Sequence, residues 1–570
     1  MNIHKIGLVV LLFCFSINTN AQKYYEKNLN FGFLYQQGND IVKDDDGNFF
    51  IAGSYYANDP LNPTYPWQFL MAKITPQGDT LWVKKFPLNE GRYYCSVVIK
   101  TEYGFMLTPN YISQQHRYVV MMQLDTNGNV LRMQNVGTLD YDNIALRIVR
   151  TEDMGYLVVG KATPTNTVYY PYALRLDSNL QVLWERYYPG YNTDPQVSYL
   201  VDAALASAIP NNDTYYLWGL NYDGDFTGAI LLLQINDSNG ELLMDTLYRP
   251  SGWIDIQNDY VYRAKRTTDG GFIASGEQNL KGVFMKFDAN LNLVWTSVNI
   301  FRRTTAVALF ELADGGFVGG GSVEREDGND WNIRIAKVNA NGLLQWQRTY
   351  GSNLHDYAYG MTDTPNGGYL ITGRSYLNDT VSLYLLKTNC MGLLTEPQAN
   401  FTTQIDTAAL LVTLQNASQY TYPDSLDGGH YIWDFGDGTP PLQTQNTTDT
   451  LLHTYPQYGT YTVTLKAIVC TDTSTLQQTL TVGYPPPPPT IEGIVVSPNP
   501  TTNQLFINSQ EPLQATFVLY NALGQKVGNS SLWGNSTQIN VANLPSGIYL
   551  YQIINPQNQT LQEGKLSILH

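Results

Sequence analysis

The chain has 570 residues, of which 43% are hydrophobic, 13% aromatic and only 14% charged, with 42 Tyr and 47 Gly. So little charge beside so many aromatics and glycines excludes coiled coils and helical bundles and fits turn-rich β structure; the apolar fraction also excludes wholesale disorder. The formal net charge of -16 disfavours nucleic acid as a partner, because phosphate backbones are held by an excess of Lys and Arg.

The N-terminus reads as a secretory signal. Lys5 precedes an apolar run from Ile6 to Phe15 that is too short to span a bilayer. Thr19-Asn20-Ala21 offers small residues for cleavage after Ala21, so residues 1–21 are expected to be removed. Cys14 lacks the small-residue context of a lipoprotein site. No later segment approaches ~20 apolar residues, so no membrane span is expected in the mature chain. Cys95, Cys390 and Cys470 remain, an odd number that leaves at least one thiol unpaired or paired between chains. Cys390 and Cys470 sit near a domain junction and can pair. No cysteine spacing suits a metal, and neither metal nor cofactor is expected.

A repeat organises residues 22–395. A turn followed by an aromatic recurs at Phe49, Phe105, Tyr156, Tyr215, Phe272, Phe317 and Tyr369, about every 53 residues. Four residues later comes Gly53, Gly160, Gly219, Gly276, Gly321 or Gly373, with Pro109 the exception. The apolar stretch between suits a central strand buried on both faces, and its glycine suits a bulge or a close backbone approach. The next strand alternates around Lys73, Gln123, Arg175, Gln234, Lys286, Lys337 and Lys387, as a strand with one wetter face would. Polar turns such as Asp125-Thr126-Asn127-Gly128 follow. A fourth strand carries aromatic-x-basic-x-apolar, as in Trp82-Lys84-Phe86 and Trp346-Arg348-Tyr350. The seventh unit lacks it, but Tyr25, Lys27 and Leu29 supply the pattern at the other end of the chain. A ring closed by its N-terminal strand follows, a seven-bladed β-propeller, which removes exposed sheet edges. A linear solenoid is the alternative, but it gains nothing from the swap. The repeats are similar to propeller-like repeats of exported bacterial proteins, a broad class without one activity.

Residues 431–439 read Tyr-Ile-Trp-Asp-Phe-Gly-Asp-Gly-Thr, followed by His453-Thr454-Tyr455 and a Gly459-to-Leu465 strand. This stretch resembles a polycystic-kidney-disease-type (PKD) domain over residues 396–484, which implies an immunoglobulin-like β-sandwich. Trp433 and Phe435 alternate into its core. Asp434 and Asp437 are read as turn residues, with a cation site as the alternative, and His453 as a packing residue. Pro485 to Pro489 lies in a semi-rigid linker, 485–490. Residues 491–570 carry Pro498-Asn499-Pro500, Gly524, Gly547, Tyr549 and Lys565. They resemble the type A C-terminal sorting domain of the type IX secretion system of Bacteroidota, a small β-sandwich. The resemblance implies handling by that secretion machinery, passage through the periplasm and release or display at the outer surface, usually with removal of the domain. Asp-[Ser/Thr] tripeptides such as Asp79-Thr80-Leu81 resemble the O-glycosylation sequon of the same bacteria.

The all-β chain shows no catalytic motif: there is no HExxH, no GxSxG and no phosphate loop. A secreted or cell-surface binding or adhesion protein fits best, with a glycan or protein ligand on the propeller loops. A surface spacer without a ligand and a propeller-type polysaccharide-active enzyme are the alternatives. Loops of uneven length on a rigid scaffold are where binding resides. The aromatics and acids expected to form one binding rim are Tyr65, Trp67, Tyr170, Tyr172, Tyr222, Asp225 and Trp331. Tyr357 and other aromatics in the connections between sheets add to it.

Overall fold

The computed structural model describes residues 23–56, 67–86, 92–112, 117–138, 142–163, 170–188, 198–205, 214–222, 228–248, 260–278, 281–297, 305–325, 328, 330–377, 380–421, 430–445, 450–483 and 493–570. The signal peptide and the proline linker lie outside them. The described elements are all strands.

Among the described residues, those between 25 and 388 form seven four-stranded antiparallel sheets, a propeller-like array. We letter the strands of each sheet a to d. The first sheet runs Gln36–Lys43, Phe49–Tyr56, Trp67–Ile74 and Thr80–Phe86. The last runs Asp356–Asp363, Tyr369–Leu377 and Thr380–Thr388, and its d position is filled by Tyr25–Leu29 from the N-terminus. The a strands of the first and last sheets touch, as do those of successive sheets.

Each repeat feature has a packing role. The aromatic-to-glycine stretch is strand b, buried along nearly its whole length in the first sheet. Its glycine faces a bulge in strand a, as at Ala145/Arg147 opposite Gly160, where any Cβ would strike the carbonyl oxygen of Ile144. The strand-d aromatic covers the c–d turn of the following sheet. Gly342 takes φ +78 there, and a Cβ on it would sit 2.5 Å from Trp295. Tyr25 covers Gly78 in the same way, so the N-terminal strand supplies the missing contact as well as the missing pairing.

One expectation needs correction. At four of its seven positions strand c has no wet face: Lys73, Arg175, Lys286 and Lys387 are buried, whereas Gln123, Gln234 and Lys337 are half-buried. The a–b turn supplies the counter-charge, with Lys73 2.9 Å from Asp44, Arg175 2.7 Å from Asp153 and Lys286 2.9 Å from Asp269. At Lys73, Arg175 and Lys286 the alternation marks a buried cation paired with a turn carboxylate.

Two further β units follow. In the first, a three-stranded sheet opposes a four-stranded one around Phe401, Trp433, Tyr455 and Leu465. Asp434 accepts from the Gly436 amide at 2.9 Å. His453 stacks on Phe435 at 3.9 Å and lies 2.7 Å from Asp437. Burial pushes the Asp437 carboxyl up, but hydrogen bonds from Thr439 and His453 outweigh it and hold the group below its ordinary value. The second unit, 495–568, is a five-stranded sheet whose core includes Leu505, Phe517, Tyr549 and Leu566.

The first of these units is docked on the seventh sheet. Cys390 and Cys470 form a disulfide, Val469 joins the core cluster of Tyr369 and Met391, and Thr471 donates to Asn366 O at 3.2 Å. Asp472, 3% exposed, accepts hydrogen bonds from both Lys23 and Tyr24 at the head of the closing strand. The Cys95 side chain is outside the described set.

Candidate functional site

One end of the sheets, where b–c hairpins and d–a connections leave, carries an aromatic surface centred on Arg374. Strand b of the seventh sheet places Arg374 opposite Tyr357 of strand a. The guanidinium carbon lies 4.5 Å from the Tyr357 ring centre, 5.5 Å from those of Tyr359 and Tyr376, and 5.7 Å from that of Tyr35. Tyr357 and Tyr359 alternate along strand a with buried Asp356, Ala358 and Gly360, so both rings fall on one side. Tyr35 enters from the connection between the closing strand and the first sheet.

The rings continue outward on both sides. Trp331 stacks on Tyr357 at 5.8 Å, and His355 stacks on the same ring at 6.0 Å. In the other direction Tyr35 meets Trp67 edge-on at 4.7 Å, and Trp67 meets Tyr56 at 5.8 Å. Trp331 and Trp67, drawn from the sixth and first sheets, are thus joined by an unbroken path of contacts through Tyr357, Arg374 and Tyr35. Most of these side chains are half-buried, and Tyr56 is exposed.

Arg374 Nη1 donates to the Tyr35 hydroxyl and, at 3.3 Å, to Gln37 Oε1. Its Nε is buried without a hydrogen-bond partner. Asp330, whose charge is felt at Tyr357, is 3.5 Å from Arg325 and 3.9 Å from His355. Burial raises the hydroxyl pKa values of Tyr35, Tyr357 and Tyr359, so these phenols are neutral donors at neutral pH.

The other expected rim residues fare differently. Tyr65 and Asp225 lie outside the described residues. Tyr222 ends strand b of the fourth sheet, and its side chain is not described. Tyr170 is half-buried at the start of strand c of the third sheet. Tyr172 is a correction: it is 0% exposed and donates to Glu185 at 2.8 Å. Glu185 also accepts from the Thr138 amide at 2.9 Å and from Tyr187 at 3.0 Å, so Tyr172 completes an internal polar network and has no free face for a ligand. Tyr35, Tyr56, His355, Tyr359, Arg374 and Tyr376 escaped the sequence reading. The available signal was register: Arg374 follows the landmark glycine at a place occupied by Ser54 and Ser322 in other repeats.

In the last unit, Asn499 Nδ2 donates to Lys565 O at 2.7 Å and its Oδ1 accepts from the Ser567 amide at 2.9 Å, tying the Pro-Asn-Pro segment to the final strand. The bonds before Pro498 and Pro500 are cis. Gly524 makes a turn at φ +76, Gly547 opens the fourth strand of this sheet, and Tyr549 is buried with its hydroxyl on Pro545 O at 2.8 Å.

Family comparisons agree with this division. Residues 394–483 match the family described as PKD domain, and residues 495–566 match the secretion system C-terminal sorting domain. The chain is therefore a multidomain β protein carrying a PKD domain and a type IX sorting domain. The sorting domain marks it for export through type IX secretion to the cell surface or beyond. No curated protein matches the chain. Among solved structures it is similar to a protein of unknown function from Dyadobacter fermentans, at 10% identity and TM-score 0.37, covering 64% of this chain and 98% of that one. It is also similar to BBS1N from a complex with ARL6DN, at 9% identity and TM-score 0.34, covering 62% and 93%. Likenesses this slight bear on neither fold nor function. Among the described residues no helix is long and apolar enough to cross a membrane.

Proposed function

We propose that this exported protein is a non-catalytic binding or adhesion protein, and that the rim around Arg374 is where it takes a glycan or protein ligand. The supporting observation is the unbroken aromatic path from Trp331 to Trp67 across three sheets, with a guanidinium at its centre that makes no ion pair with a carboxylate among the described residues. Framework aromatics such as Trp184 and Trp295 are spent on neighbouring turns; the rim aromatics stand where chain connections leave the scaffold. Stacking faces beside polar groups suit sugar rings or a protein loop.

The test is a glycan and protein array probed with the full chain and with Trp67→Ala and Trp331→Ala. Saturable binding lost in both variants supports the rim. Binding that survives both places the ligand elsewhere.

A further inference from the structure

We infer that the rim recognises an acidic saccharide, a sugar bearing a ring carboxylate, with Arg374 taking the carboxylate. The inference rests on the rim reading above and adds the charge of the ligand to it.

Several arginines are committed to carboxylates of the framework. Arg175 pairs with Asp153 and Asp237, Arg150 with Glu102, and Arg117 with Asp142. Arg374 differs. Its ring of neighbours is four phenols and the Gln37 amide, and Asp330, whose charge reaches Tyr357, faces Arg325 and His355 instead. A guanidinium offers five donors in a planar fork, and a carboxylate is the group that takes two of them at once. Here Nε is buried without a partner, an unmet donor on the same guanidinium.

The phenols suit the same ligand. Burial keeps Tyr35 and Tyr357 protonated, so they add no negative charge beside the arginine. Their rings pack around the cation, while Tyr35 and Gln37 accept from Nη1. A saccharide fits better than a peptide carboxylate because aromatic rings continue on both sides of Arg374, Trp331 beyond Tyr357 and Trp67 beyond Tyr35. Successive sugars of one chain would meet stacking surfaces on either side of the charged one. The chain's net charge of -16 repels acidic polymers at long range, so binding must come from this direct contact and not from a general field.

The experiment is calorimetric titration of the full chain with oligomers of galacturonic acid and with the same oligomers methyl-esterified, using wild type, Arg374→Gln, Arg374→Lys and Trp67→Ala. The expected result is at least a ten-fold weaker binding on esterification, a comparable loss in Arg374→Gln, and partial retention in Arg374→Lys. Trp67→Ala should weaken both ligands. The esterified ligand tests wild-type protein, so a misfolded variant cannot decide the matter. Equal binding of acid and ester, with Trp67→Ala still weakening both, overturns the acidic inference and leaves the rim reading intact. Binding of neither oligomer, or binding only of acidic peptides on an array, overturns the saccharide inference.

Discussion

Reduction of the Cys390–Cys470 disulfide should destabilise the PKD unit and largely spare the propeller. The cross-link spans 80 residues of sequence, and the loop it closes contains the PKD strands from Phe401–Asp406 through Gly459–Val469. Closing a loop of that length removes chain entropy from the unfolded state worth about 4.5 kcal/mol at 25 °C. The native state loses little on reduction, because Val469 remains packed against the seventh sheet and Asp472 keeps Lys23 and Tyr24. For a unit of this size, each kcal/mol moves the melting temperature by about 4–8 °C.

Differential scanning calorimetry of the full chain with and without dithiothreitol reads the effect directly, since separate units can melt as separate transitions. One transition should fall by at least about 10 °C and another should hold nearly still. Cys390→Ser with Cys470→Ser should reproduce the shift without reductant. If reduction moves every transition by less than about 3 °C, the loop-entropy account is wrong for this protein.

Other consequences follow from the same contacts. Asp472→Ala leaves Lys23 and Tyr24 without their acceptor and should cost about 2–4 kcal/mol, read as earlier melting and faster proteolysis of the closing strand. Gly342→Ala forces a Cβ onto Trp295 at a positive φ and should cost about 1–3 kcal/mol in denaturant titrations. Burial pushes the Asp40 carboxyl up to about 6, against the opposing pull of Arg147 and of the Val98 and Ile41 amides. An acid raised in the folded state binds more protons folded than unfolded between about pH 4 and 6, so this group's contribution falls as pH rises through that window. Asp40→Asn should therefore be more stable than wild type by about 2–3 kcal/mol at pH 7 and indistinguishable near pH 4; equal stability at both values would refute it.

Much of the framework was legible because it repeats. The landmark aromatic and its glycine mark strand b, and the turn Asp with the strand-c cation mark one ion pair, again and again. The solvent reading of Lys73 and Arg175 failed because alternation reports a change of environment, and a buried charge with a partner alternates as a wet one does. The rim was less legible because its members come from three sheets and are adjacent only in space. Trp67 and Trp331 stood out as aromatics beside uneven loops. Tyr172 stood out for the same reason, yet two residues along a strand from Tyr170 it faces a core network instead. Arg374 was hidden inside a strand, where a loop-based search does not look.

The two ends of the seventh sheet carry different features. Strand a runs from Asp356, beside the rim, to Asp363, beside the turn that Asn366 occupies. The PKD unit docks at the Asn366 end through Thr471, the disulfide and the clamp on the closing strand. The rim lies at the other end of the same strands. The PKD unit therefore docks on the face that carries no rim residue. The clamp also places the PKD unit on the one strand that closes the array, which couples the ring's closure to the unit that follows it. Loosening Asp472 should then weaken ligand binding at the rim only as far as it loosens the closing strand, because Tyr35 reaches Arg374 from the segment that directly follows that strand.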